Sequence, residues 1–153
     1  MDVRAATVED AAESVRLARL MFESMGLDSS DAEWQREGER HVRERLGRDL
    51  AVFVVEDPAR SGKLIASAAG TIVARLPGPL NPSGRAGYVQ WVSTEPAFQR
   101  MGAGRVVMEA LLDWYDANGV RTVELHATVA GETLYRSLGF DDEGPRALRR
   151  RRP

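Results

Sequence analysis

The chain contains no cysteine, a single lysine and only two histidines. Without cysteine there can be no disulfide framework, no thiol nucleophile and no zinc–thiolate site. A reaction passing through an acetylated cysteine is excluded for the same reason. Two histidines, His41 and His126, are too few for a multi-histidine metal centre, so no metal is expected. No apolar run approaches the ~20 residues of a membrane span. The opening MDVRAATVED lacks the basic and apolar parts of a signal segment, so the reading is a cytoplasmic chain without a membrane partner. Lys63 stands beside twenty arginines, a skew that GC-rich coding bias accounts for.

The 153 residues are 43% hydrophobic and 29% charged, enough to bury a core as one domain spanning 1–153. The net charge of −2 is unevenly spread. RALRRRRP at the C-terminus holds five arginines and no acid, which leaves −7 on residues 1–145. A basic tail can attract nucleic acid, but the acidic body offers no continuous basic face, so nucleic acid is not the expected partner.

Periodicity then orders the chain. VRAA (3–6) reads as a short strand leading to a capping box of Thr7 and Asp10. Ala11, Val15, Ala18, Phe22 and Met25 give a first helix its apolar stripe, closed by Gly26. A second helix opens on a Ser30–Glu33 box and runs to about Leu46, with Trp34, Gly38, Val42 and Leu46 on a thin apolar face. LAVFVVED (50–57), KLIASAAGTIVARL (63–76) and GYVQWVSTEP (87–96) read as strands in two successive antiparallel hairpins. A third helix reaches Ala117, with Val107, Leu111 and Trp114 inward. VRTVELHAT (120–128) reads as a buried strand, parallel to the one before that helix. A short helix at GETLYRSL ends at Gly139, and Phe140 begins final strands. The expected architecture is α/β: a mixed, mostly antiparallel sheet with a parallel splayed pair, flanked by about four helices.

QRMGAGR (99–105) interrupts this pattern with two glycines at the mouth of the third helix. Glycine inside a helix costs roughly 1 kcal/mol relative to alanine. A helix N-terminus, with its free N–H groups and partial positive charge, suits a phosphate. Phosphate-binding loops of the GKT or GKS type are absent, and no G-x-G-x-x-G follows the first strand, so nucleoside triphosphates and dinucleotides lose their support.

Taken together, three segments resemble the GNAT superfamily of acyl-CoA N-acyltransferases. Q-R-M-G-A-G (99–104) is similar to the family's Q/R-x-x-G-x-G/A signature, the preceding VSTEP to its strand ending in V-x-P, and TLYRSLGF (133–140) to its A-x-x-L-Y-x-x-L-G-F motif. The order of elements also matches that family. The resemblance implies acetyl-CoA or another acyl-CoA as cosubstrate. Main-chain amides of Gln99, Arg100, Met101, Gly102, Ala103 and Gly104 would hold its pyrophosphate, with Arg105 nearby. Val92, Ser93 and Thr94 would flank the pantetheine arm, and Tyr135 would protonate the leaving thiolate. Thr128 and Gly131 stand where the family often has Asn and Ala; the Thr128 hydroxyl could bond the pantetheine or the sheet, and Gly131 loosens the turn before Tyr135. Transfer would go by direct attack of a primary amine of a small molecule or peptide in a ternary complex.

No base is evident. By alternation Tyr88, Gln90, Val92 and Thr94 share one face, while Glu95 lies on the other as a surface residue. Glu124 and His126 alternate together on the next strand, where His126 is a candidate base, although a hydrogen-bonded histidine at a strand end is the better reading. A water relay fits equally well. This gap leaves open a non-catalytic acyl-CoA sensor or scaffold of the same fold. Met21, Phe22, Met25 and Trp34, with Trp91 and Tyr88 across from them, bracket the expected acceptor entry, where ordinary core packing would use the same residues. Glu23, Asp28 and Asp31 add negative charge suited to a cationic amine. Similar proteins commonly dimerise through their C-terminal strands, so a homodimer is a further expectation.

Overall fold

The computed structural model describes residues 1–153. Five strands form one sheet in the order β1 (Val3–Ala5), β2 (Leu50–Glu56), β3 (Leu64–Ala74), β4 (Arg85–Thr94) and β5 (Thr122–Glu124). The first four are antiparallel neighbours, and β5 runs parallel to β4. Helices α1 (Ala11–Ser24) and α2 (Ala32–Arg45) precede the β2–β4 meander. Helix α3 (Ala103–Ala117) makes the crossover from β4 to β5, and α4 (Glu132–Ser137) follows β5. No helix is long and apolar enough to cross a membrane.

β3 is buried on both faces from Leu64 to Thr71 because a helical layer covers each side. Its small residues, Ala66, Ala68, Ala69 and Gly70, let those layers come close. On one face Val107, Met108, Leu111 and Tyr115 of α3 pack on Ile65, Ala68 and Val89. On the other, Ala11 and Leu17 of α1 and Val42 of α2 pack on Val52, Val54 and Leu64. Burial of each such aliphatic side chain contributes about 1.5–3 kcal/mol before chain entropy is set against it.

Several expectations need correction. Asp31, not Ser30, caps α2: its carboxylate accepts from the Glu33 amide at 2.9 Å, while Ser30 is bound to Asp28. Met25 is 49% exposed, so the stripe on α1 ends before it, and Leu17 is fully buried beside that stripe. On α3 the fully buried aromatic is Tyr115, with Trp114 only partly covered. β5 spans three residues, two half-buried and Glu124 exposed, rather than nine buried ones, and no strand follows α4.

The most consequential departure is a bulge in β4. Ala68 pairs with Val92 and Gly70 with Val89, so Gln90 and Trp91 together oppose one residue of β3. A bulge breaks the alternation of side chains. Val89 and Val92 both face α3, whereas Trp91 and Ser93 face α1 and α2. Tyr88 and Gln90 therefore do not share a face with Val92 and Thr94.

Candidate active site

β4 and β5 pair only from Ala86 to Tyr88 on β4, and β5 ends at Glu124. β4 continues to Thr94, so its main chain from Val89 onward has a strand partner on the β3 side alone. Every site residue expected from the sequence except Met101 borders the resulting cleft, whose volume is about 900 Å³. Met101 faces a separate hollow of about 650 Å³ that it shares with Val3, Ile65 and Phe98.

At one end of the cleft β4 passes through a single 3₁₀ turn, Pro96–Phe98, into the glycine turn and α3. Arg100 has φ +61° and Gly102 φ +88°, two left-handed residues in a span of three. Successive residues alternating between left- and right-handed conformations gather their N–H groups on one side, a geometry that accommodates anions. None of the amides from Arg100 to Arg105 donates to an acceptor within the chain; the first helical amide bond is from Val106 to the Gly102 carbonyl at 3.1 Å. A Cβ on Gly104 would make only ordinary contacts, 3.5 Å to Leu134 and 3.7 Å to Thr94. There is no carboxylate between Pro96 and Met108, and Arg100 and Arg105 add positive charge.

Two tethers hold this end in place. Arg16 of α1 donates to Glu95 at 2.6 Å and to the Leu64 carbonyl at 2.8 Å, fixing α1 to the end of β4. Glu95 is thus a partly buried ion-pair partner, not a plain surface residue. Arg105 reaches across to α4 and donates to the Ser137 hydroxyl at 2.6 Å, so the helix after the turn is tied to the helix that carries Tyr135.

The ring of Tyr135 packs edge-on against Phe140 at 6.1 Å and lies back over the start of its own helix. A Cβ on Gly131 would sit 2.8 Å from that ring, so the glycine makes room for the tyrosine rather than merely loosening the turn. Burial pushes the Tyr135 phenol above its usual pKa, which keeps it protonated at neutral pH. Thr128 Oγ1 accepts from the Gly131 amide at 3.3 Å; its own proton remains available to the cleft.

Across β4, Met21, Phe22 and Glu23 of α1 and Met25 just past its end border the cleft. Phe22 stacks edge-on against Trp34 at 5.3 Å, and Trp34 against Trp91 at 6.4 Å. Trp34 and Trp91 lie behind the wall that Phe22 presents; neither borders the cleft itself. Ser93 is spent on structure, donating to the Leu17 carbonyl at 2.7 Å. Tyr88 is hydrogen-bonded to His126 Nδ1. Glu124 is held by both Arg75 nitrogens at 2.8 Å, which lowers its carboxyl pKa.

A strand that parts from its neighbour beside an anion-accepting helix mouth, with a protonated phenol along the gap, defines a class of group-transfer site. The model of the acetyltransferase (GNAT) family matches residues 14–140, and the chain belongs to that family. The ribosomal protein bS18-alanine N-acetyltransferase of Salmonella typhimurium is 39% identical over 54 residues, 33% of this chain and 36% of the relative. The match thus spans about a third of that protein's length. In fold, a predicted acetyltransferase of Clostridium acetobutylicum crystallised with acetyl-CoA is similar at TM-score 0.84 and 22% identity, covering 97% of this chain and 95% of the other. A GCN5-related N-acetyltransferase of Ralstonia eutropha JMP134 is similar at TM-score 0.82 and 22% identity, with 97% of each chain covered.

Proposed function

We propose that this protein is an acetyl-CoA-dependent N-acetyltransferase that acylates a primary amine by direct attack within a ternary complex. The observation that carries the reading is the row of unengaged amides from Arg100 to Arg105, opening onto a cleft that follows the unpaired edge of β4 to Tyr135. Acetyl-CoA supplies the activated acyl group as a thioester. The turn from Arg100 to Gly104 fits its pyrophosphate, the Gln99 amide being already bound to the Pro96 carbonyl at 3.4 Å, with Arg100 and Arg105 adding charge and Met101 contributing only its main chain. Main-chain groups of Val92, Ser93 and Thr94 line the path of the pantetheine arm and are placed to polarise the carbonyl, a role that requires backbone geometry rather than a particular side chain. Thr128 can donate its hydroxyl to the same arm.

Tyr135 serves as the acid. Its raised pKa keeps a proton ready for the departing thiolate, whose parent thiol resembles cysteine at about 8.5. The acceptor, a small-molecule or peptide amine, enters from the α1 side, where Glu23 provides negative charge for a cation.

Millimolar acetyl-CoA should raise the melting temperature of the purified protein, since a ligand at 100 times its Kd adds about 2.7 kcal/mol of stability. CoA release should then be measured with a peptide bearing an N-terminal alanine, spermidine and an aminoglycoside. Tyr135→Phe should lower the rate about 100-fold while leaving the thermal shift intact. Absence of any thermal shift would overturn the reading. A shift without transfer to any amine would leave a binding protein instead of an enzyme.

A further inference from the structure

We infer that Tyr88 and His126 together take the proton from the incoming amine, an inference that rests on the acetyl-transfer reading above. Tyr88 is the last β4 residue paired with β5, and His126 lies two residues past the end of that strand. Their side chains meet across the point where the strands part, Tyr88 Oη against His126 Nδ1, with the rings edge-on at 5.6 Å between centroids. Both border the cleft. Gly87, the neighbour of Tyr88, faces Tyr115 of α3, so Tyr88 projects to the opposite face, toward α1 and α2. Tyr135 packs with the α3 side. The acid and the dyad thus stand on opposite faces of the same open strand edge, so the dyad can meet the amine that adds to the carbonyl while Tyr135 meets the sulfur that is expelled.

The bond between the two rings defines their roles. The role requires the tautomer in which Nδ1 accepts from the Tyr88 hydroxyl and Nε2 carries the imidazole proton. An ammonium reaching Tyr88 hands one proton to Oη as the phenolic proton passes to Nδ1, so the phenol stays neutral and His126 becomes the cation. The freed nitrogen pair attacks the acetyl carbon; the N–C bond forms and the C–S bond breaks. The thiolate takes the proton of Tyr135. The second surplus proton on nitrogen restores Tyr135 through solvent, and His126 returns its proton to water. A substrate ammonium, with a pKa of about 10.4 when lysine-like, thereby loses its proton through a phenol that never has to hold charge.

Charged groups also stand around the pair. On β5 Glu124 lies two residues from His126 and is already held by Arg75 of β3. Across the cleft stand Glu23 of α1, which accepts from Ser29 at 2.9 Å, and Arg149 of the C-terminal segment. Tyr135 and, at the glycine turn, Arg100 and Arg105 are the remaining titratable groups that border the cleft.

The test uses the full-length protein, acetyl-CoA and the amine that reacts fastest among alanyl peptide, spermidine and aminoglycoside. Tyr88→Phe and His126→Gln should each lower kcat about 10–100-fold at pH 7, and the double variant should lose no more than the worse single, because the two act as a unit. The thermal shift with acetyl-CoA should be unchanged in all three. Raising the pH toward the pKa of the amine should restore the variants, and the acidic limb of the wild-type rate should follow the imidazole titration of His126 read by NMR, with His41 as the only other histidine signal. Variants within threefold of wild type, or an acidic limb that stays put in His126→Gln, would overturn the dyad while leaving acetyl transfer in place. No transfer by wild type to any of the amines would overturn both readings.

Discussion

Two pairs of glycines sit against α3 and serve its opposite ends. Gly70 on β3 and Gly87 on β4 lie beneath α3, where a Cβ would come within 2.2 Å of the Tyr115 hydroxyl or 2.6 Å of its ring. Tyr115 fills the slot that they leave, and its hydroxyl lies 3.1 Å from the carbonyls of both Thr71 and Tyr88. Gly102 and Gly104, at the other end of β4, lie where a Cβ would meet nothing within 4 Å or make only ordinary contacts. The first pair has its missing side chains replaced by the chain itself. The second pair is left bare, with its amides unengaged. Gly102 is needed for its left-handed φ of +88°, but neither dihedral nor contact requires glycine at Gly104, and this difference separates the packing around α3 from the chemistry at its mouth.

The contrast breaks most visibly at Gly87. Gly87→Ala forces the Tyr115 ring to move out of a fully buried site, an overpacking cost of about 1–3 kcal/mol. The expected outcome is a melting temperature lower by about 4–10 °C, with the acetyl-CoA shift preserved in the protein that remains folded. A stability unchanged by this substitution would show that Tyr115 is not held as described. Gly70→Ala should behave likewise and be partly rescued by Tyr115→Phe, since its Cβ meets the hydroxyl itself.

Gly104→Val inverts that pattern. Its Cβ fits beside Leu134 and Thr94, and valine is no worse than glycine in a helix, so stability should change by less than about 1 kcal/mol. The branched carbons would crowd the space over the bare amides and should weaken acetyl-CoA binding about tenfold or more, or about 1.4 kcal/mol. Calorimetry checks this directly. Retained affinity would mean that the turn is only a bend.

How much of this was legible in the sequence follows from how local each signal is. Q-R-M-G-A-G and L-Y-R-S-L-G-F are contiguous, so the turn, Tyr135 and their relation to β4 could be read from residue order alone. Alternation failed at β4 because a bulge leaves no mark in the string: Y-V-Q-W-V-S-T reads as a regular strand, and only its register with β3 shows the extra residue. The partnership of Gly70, Gly87 and Tyr115 was missed because it joins three elements distant in sequence, and Trp114 beside it looked the better core aromatic. Glu95 was taken for a surface residue because its partner, Arg16, lies 79 positions away. Tyr88 and His126 lie 38 positions apart, so nothing in the string pairs the phenol with the one histidine that is a candidate base.

Gly131 falls between the two pairs and gives the finest test of the comparison. It belongs to the site, yet its missing side chain is filled from within, by the ring of Tyr135 at 2.8–3.4 Å from the Cβ position. Gly131→Ala should therefore neither empty the cleft nor unfold the helix; it should push the ring toward Phe140 and shift the phenol by a few tenths of an ångström. A catalytic group displaced by 1 Å can cost about 100-fold, so a smaller shift should lower kcat about three- to tenfold. The KM for acetyl-CoA should hold, because the amides of the glycine turn lie on a different helix from the substitution. If KM rose with kcat unchanged, the ring of Tyr135 would be a wall of the binding site and not its acid. That outcome would move Gly131 into the company of Gly104.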